Sequence, residues 1–158
     1  MTRLPKGFLK NPWHFCAFGF GSGCSPKAPG TVGTVMAVLL YLHMQYLPEF
    51  IYIAVLLVSF GLGVVICQKA SDALGVHDHG GIVWDEFVGY WITMLFAPSG
   101  VLWVLWGFAL FRLFDIWKPY PIKIVDSKVH GGFGIMLDDV LAGVYALICL
   151  QLTAVVLG

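Results

Sequence analysis

Two adjacent acidic pairs, Asp85-Glu86 and Asp138-Asp139, carry the most chemical potential in this chain, and each stands near the start of an apolar stretch. Carboxylates in a membrane-like helix are costly and are rarely there without a partner or a task. The two pairs are related. Shifting the chain by 53 residues aligns Val76-His77 with Val129-His130, Gly81-Ile82 with Gly134-Ile135, and the acidic pairs with each other. Between Val76 and Tyr90 there are five identities, and in both copies the acids follow a His by eight and nine residues. Two acidic pairs at equivalent helix starts predict one shared site. The helix dipole favours a carboxylate near an N-terminus, which is the plain structural reading, but it does not account for pairs. Adjacent side chains on a helix point about 100° apart, so one acid of each pair can face a neighbouring helix while the other faces the helix mouth. Four converging acids repel one another unless a cation sits between them, and hard oxygen donors suit Mg²⁺ or Mn²⁺. The predicted metal ligands are therefore Asp85, Glu86, Asp138 and Asp139. Gly89 and Gly143, each four residues after an acid of its pair, leave room for the two helices to approach closely.

Cationic groups recur nearby. Arg112, Asp115 and Lys118 are spaced by three and share one helix face. They form either an interfacial ion-pair ladder with Lys118 snorkelling, or a phosphate site in which Asp115 holds the cations or adds a metal ligand. The Gly- and Pro-rich loop from Gly19 to Thr34 leads into an apolar segment, and its backbone N–H groups, Thr31, Thr34 and Lys27 could receive an anion. The same residues also simply make turns, and the spacing is not that of a Walker loop. His77, Asp78 and His130 are the candidates for proton transfer, the two histidines because they occupy equivalent repeat positions. Trp84, Trp91, Trp103, Trp106 and Trp117 read as lipid-facing or interfacial anchors. There is no Cys-x5-Arg, no Asp-x-Asp-x-Thr/Val and no Ser-Gly-His signature, so a phosphatase built on this chain needs a metal-activated water.

The elements that must position these groups are apolar. In a chain of 158 residues, 59% are hydrophobic and 11% charged, with a mean hydropathy of +0.85, against about 25% charged in ordinary soluble proteins. This composition predicts an integral membrane protein. Zero net charge and the lack of a basic run exclude nucleic acid as an expected partner. Four cysteines without CxxC spacing argue against a disulfide framework or a zinc site. The leader is basic but interrupted by Pro5, Gly7 and Pro12, which predicts no cleavable signal peptide.

Five hydrophobic segments follow, at Thr31–Leu47, Phe50–Cys67, Ile82–Ala97, Val101–Trp117 and Asp138–Leu157, joined by polar connections at 68–81 and 118–137. Alternating spans gather all nine Lys and Arg, and every acid except Glu49, toward one face, which the positive-inside rule makes cytoplasmic. The predicted fold is an all-α polytopic membrane bundle with a cytoplasm-facing site. It is a single membrane-embedded domain over 1–158, with a leader and Gly/Pro-rich loop at 1–30 and the bundle at 31–158. On the residues alone, a small cation transporter or channel remains the alternative to an enzyme.

Several segments, taken in order, resemble the phosphatidylglycerophosphatase A family of bacterial inner-membrane enzymes. They are Asn11-Pro12-Trp13-His14, Gly19-Phe20-Gly21-Ser22-Gly23, Ser25-Pro26, Pro29-Gly30-Thr31, Gly75-Val76-His77-Asp78-His79, Ile82-Val83-Trp84-Asp85-Glu86-Phe87, Asp115-x-Trp117-Lys118-Pro119-x-Pro121, Val129-His130-Gly131-Gly132 and Asp138-Asp139. The resemblance implies a Mg²⁺-dependent phosphomonoesterase of the inner membrane that converts phosphatidylglycerol phosphate to phosphatidylglycerol and phosphate. A phosphatase for another phospholipid or isoprenoid phosphate stays open, because apolar acyl contacts carry little specificity. Combining the resemblance with the residues, Asp85, Asp139, His77, Asp78 and His130 are expected to be catalytic. Lys27, Thr31, Thr34, Arg112 and Lys118 are expected to neutralise the phosphate.

Overall fold

A computed structural model describes residues 4–157, and among them every regular element is helical. Asn11 opens the first helix, α1 (Pro12–Ala17), by accepting the Trp13 N–H on its side chain, with Pro12 at the first helical position. A kinked 3₁₀ segment at Gly19–Cys24 follows. The bundle proper consists of α2 (Pro29–Met44), α3 (Glu49–Leu74), α4 (Trp84–Thr93), α5 (Val101–Trp117), a short surface helix α6 (Ile122–Lys128), and α7 (Gly131–Leu157).

The two longest helices, α3 with 26 residues and α7 with 27, are long and apolar enough to cross a membrane. The segment expected over Phe50–Cys67 extends to Leu74, where Gly75 stops it in a left-handed conformation (φ 64°). The segment expected from Asp138 starts seven residues earlier, because the Gly131 and Gly132 N–H groups are satisfied by His77 Nε2 (3.0 Å) and Gln68 Oε1 (2.7 Å). The expectation over Val101–Trp117 matches α5 residue for residue. The one over Ile82–Ala97 does not give a spanning helix: α4 is ten residues long, and the chain turns at Phe96 in a left-handed conformation (φ 58°) ahead of Pro98.

This short helix is the centre of the molecule. Every residue of α4 except Ile92 is buried, and each neighbour holds it by a polar contact to its backbone or aromatic side chains. Trp84 Nε1 donates to the Ser59 carbonyl of α3 (3.0 Å), Trp91 Nε1 to the Ala37 carbonyl of α2 (3.0 Å), and Tyr90 Oη to the Val104 carbonyl of α5 (3.2 Å). Tyr52 of α3 donates to the Trp91 carbonyl (2.7 Å). Trp84 and Trp91 are therefore not lipid-facing anchors as expected: at 7% and 4% exposure they are core residues whose indole N–H groups find carbonyl partners inside. Trp106 and Trp117 remain exposed.

Against α7, the contact is backbone to backbone. A Cβ placed on Gly143 would run into the Gly89 carbonyl, and one placed on Gly89 would lie 2.7 Å from the Asp139 carbonyl oxygen. The two repeat halves thus cross where only glycine fits. Gly143→Val should destabilise the protein by about 1–3 kcal/mol or more, read as a lowered thermal midpoint in detergent; an unchanged midpoint would show that the crossing tolerates a side chain.

Candidate active site

The α4–α7 crossing sets the separation of the two acidic pairs, since Asp85 and Glu86 lie in the first turn of α4 and Asp139 precedes Gly143 by one turn of α7. One carboxylate oxygen from each of Asp85, Glu86 and Asp139 lies within 4.8 Å of the other two, and all three residues are buried. Four carboxylate oxygens in this region have no hydrogen-bond partner: Asp85 Oδ1, Glu86 Oε2, Asp138 Oδ1 and Asp139 Oδ2. A buried unpaired charge costs several kcal/mol, so their gathering at one point requires compensation. The set consists wholly of hard oxygen donors, which is what Mg²⁺ or Mn²⁺ takes. The predicted ligands therefore fit a divalent ion in three of four cases by mutual distance.

Asp138 is arranged differently. Its Oδ2 accepts from Lys118 Nζ at 2.6 Å, and Lys118 also reaches Asp126 Oδ1 of α6 at 2.7 Å. Burial by itself would lower the Lys118 pKa, but its two carboxylate partners outweigh it and hold the ammonium above its ordinary range. Lys118 thus stands at the edge of the cluster as a fixed positive charge.

Arg112 supplies the second cation. Its Nη1 donates to Asp115 Oδ2, lies 3.8 Å from Glu86 Oε1, and reaches Thr34 Oγ1 at 3.5 Å, while Nε is buried without a partner. Asp115 in turn lies within electrostatic reach of Asp139. Along the Arg112-Asp115-Lys118 face the ion-pair ladder is only partial: Arg112 pairs with Asp115 within the helix, and both cations also meet acids of other elements. Thr34 is fully buried and donates to the Gly30 carbonyl (2.9 Å). A Cβ on Gly30 would collide with Glu86 Oε1 and lie 3.3 Å from Arg112 Nη1, so the first turn of α2 presses directly on the site. The expected anion-receiving helix start is brought to the carboxylates with Thr31 half-buried in it; Lys27 stays exposed on the preceding turn, with no ion pair among the described residues.

His77 and His130, the two equivalent repeat positions, meet with their rings edge to face at 4.9 Å between centroids. Neither joins the carboxylate cluster. His77 accepts the Gly131 N–H, and His130 Nδ1 lies 3.0 Å from the Lys128 carbonyl. Asp78 keeps exposed surface in the loop before α4, within electrostatic reach of Asp85. Sequence reasoning missed the Gln68 and His77 caps on α7, for which the chain offers no local signal, and the approach of Gly30 to Glu86. The Asp115 link was signalled by its spacing from Arg112.

The family model for phosphatidylglycerophosphatase A matches residues 15–154. A phosphatidylglycerophosphatase A of Escherichia coli (strain K12) is 49% identical over 153 residues, covering 91% of this chain and 89% of the relative. The protein of that name from Haemophilus influenzae is 49% identical over 150 residues, with 92% and 90% covered. A Bacteroides thetaiotaomicron protein with the provisional name phosphatidylinositol-3-phosphatase is 38% identical over 147 residues, with 89% and 92% covered. No solved structure matches significantly.

Lys118→Met should leave Asp138 buried with both oxygens unpaired and lower stability by about 1–3 kcal/mol. Adding Asp138→Leu to that variant should recover part of the loss, as a double-mutant cycle of thermal unfolding would reveal; strictly additive losses would deny the pair.

Proposed function

The chain belongs to the phosphatidylglycerophosphatase A family, and from that premise we propose that it is a Mg²⁺-dependent phosphomonoesterase. It dephosphorylates phosphatidylglycerol phosphate to phosphatidylglycerol in the bacterial inner membrane. The observation that carries this reading is the group of buried, unpartnered carboxylate oxygens of Asp85, Glu86 and Asp139 beside Arg112 and Lys118. An anionic substrate that travels with a divalent cation needs both kinds of charge at one place.

In this reading Asp85, Glu86 and Asp139 hold the ion, with Asp138 completing the set once Lys118 turns to the phosphate. Bound there, Mg²⁺ supplies positive charge to the phosphoryl oxygens and acidifies an attacking water. Arg112 offers its planar fork to the phosphate; Asp115 and Thr34 hold that fork in place from α5 and α2. The first turn of α2 adds backbone N–H groups, Thr31 and the positive end of its dipole, and Lys27 lies at the outer approach. Asp78 or His77 would take the proton from water and His130 would return one to the leaving alkoxide; both histidines stand at the Gly131 end of α7, outside the carboxylate cluster, so they would act through intervening water. His77 would act through Nδ1, since Nε2 receives the Gly131 N–H.

The clustering of Lys and Arg supports a cytoplasmic site. In that orientation α3 and α7 span the bilayer, while α2, α4 and α5 complete five embedded segments around the site. The family assignment displaces ion transport, and two of the four acids, Glu86 and Asp138, stand beside Arg112 and Lys118. A phosphatase for another lipid phosphate is the second reading, favoured by the name of the Bacteroides relative.

Detergent-purified protein should release phosphate from phosphatidylglycerol phosphate with Mg²⁺ and stop on excess EDTA. Asp85→Asn should cut turnover by on the order of 10³-fold or more while thermal unfolding shows it folded. A fully active Asp85→Asn protein, or release indifferent to EDTA, would refute the metal role. Faster release from phosphatidylinositol 3-phosphate would move the substrate to the second reading.

A further inference from the structure

An apolar groove of about 370 Å³ runs along the outside of the bundle between α3, α4 and α7. Its walls include Leu56 and Phe60 of α3, Val88 and Ile92 of α4, Leu95 in the turn after α4, and Val140 of α7. We propose that this groove seats an acyl chain of the lipid whose phosphate enters the carboxylate site, an inference that rests on the lipid-phosphatase reading.

Continuity with the site carries it. Val88 and Ile92 follow Asp85 by three and seven residues, so the acid and the groove share one face of α4. Val140 is the residue after Asp139. The groove therefore begins one turn past Asp85 and follows α4 from Val88 to its end at Thr93, roughly 8 Å at 1.5 Å per residue, closing on Leu95 in the turn beyond. The groove itself is lined only by apolar side chains, and the acids Asp85 and Asp139 lie just beyond its Val88 and Val140 end, an order of charge and hydrocarbon that matches a lipid. A second apolar hollow, beside Leu102, Trp106 and Leu157, lies at the first turns of α5 and the end of α7, away from Arg112 and Asp139, and has no such continuity. Lipid tails are as apolar as the groove, so filling it gains little free energy from desolvation. Its effect is on orientation, because a tail held along α4 fixes where the headgroup phosphate comes to rest.

Two measurements test this. Protein in phosphatidylcholine nanodiscs is irradiated with phosphatidylglycerol phosphate bearing a diazirine on one acyl chain, and in parallel with phosphatidylcholine bearing the same chain. Crosslinks to residues 53–60 and 88–95 from the first lipid and not the second are expected. Equal labelling by both would mean ordinary bilayer lipid and would overturn the proposal. In the second measurement, Ile92→Trp should lower kcat/KM for long-chain phosphatidylglycerol phosphate by roughly ten- to a hundredfold. Turnover of the same headgroup on a deacylated glycerol should hold, and Leu102→Trp should leave both substrates unaffected. Parallel losses on both substrates, or none on either, would also overturn it. Selective labelling by a wild-type protein that releases no phosphate would sink the reaction and leave the groove standing, whereas phosphate release with indiscriminate labelling would do the reverse.

Discussion

Carboxylates packed inside an apolar bundle are the constraint to which the rest of this molecule answers. Asp85, Glu86, Asp138 and Asp139 are all less than a tenth exposed, and each keeps an oxygen that no protein group satisfies. In a low-dielectric interior such an arrangement survives only where the surrounding structure over-determines it and where positive charge is at hand. The structure supplies that charge from several directions. Arg112 comes from α5 and Lys118 from the residue that caps it, and the first turn of α2 packs against Glu86 and Arg112.

Rigidity of the kind needed to hold the acids together comes from α4. A helix of ten residues has little stability of its own. Here it is fixed by hydrogen bonds that leave or enter its aromatic residues toward α2, α3 and α5, and by glycine contact with α7. Its burial explains why it need not be long: it does not meet lipid along most of its surface, so its ends can turn inside protein without leaving backbone groups unpaired in hydrocarbon. The side chains that would ordinarily be interfacial anchors, Trp84 and Trp91, become internal struts for the same reason.

The cations are arranged so that none is committed to a single partner. Arg112 touches Asp115, Glu86 and Thr34, and Lys118 bridges Asp126 and Asp138. A cation held between two acids can exchange one of them for a phosphate oxygen with little movement, which is the preorganisation that phosphoryl chemistry uses. Asp115 bonds Arg112 and lies within electrostatic reach of Asp139, so it links the cationic and the acidic sides of the cluster.

Much of this was written in the sequence. The 53-residue repeat carried the meeting of the acidic pairs, because two copies of one local pattern tend to occupy equivalent places; the contact of His77 with His130 is added by the fold. The glycines four residues after the acids marked the close crossing, since a missing Cβ has one obvious use between helices. Hydropathy gave the helical class and the α5 boundaries. As metal ligands the sequence alone did not separate Asp138 from Asp139, because adjacent residues differ only in the direction they point, and that direction is set by which helix packs alongside. Nor could it turn the Ile82–Ala97 segment into a short buried hub, because an apolar run reads the same whether lipid or protein surrounds it. The tertiary structure decided both, since which surface faces α7, α5 or the bilayer depends on long-range packing that no window of sequence contains.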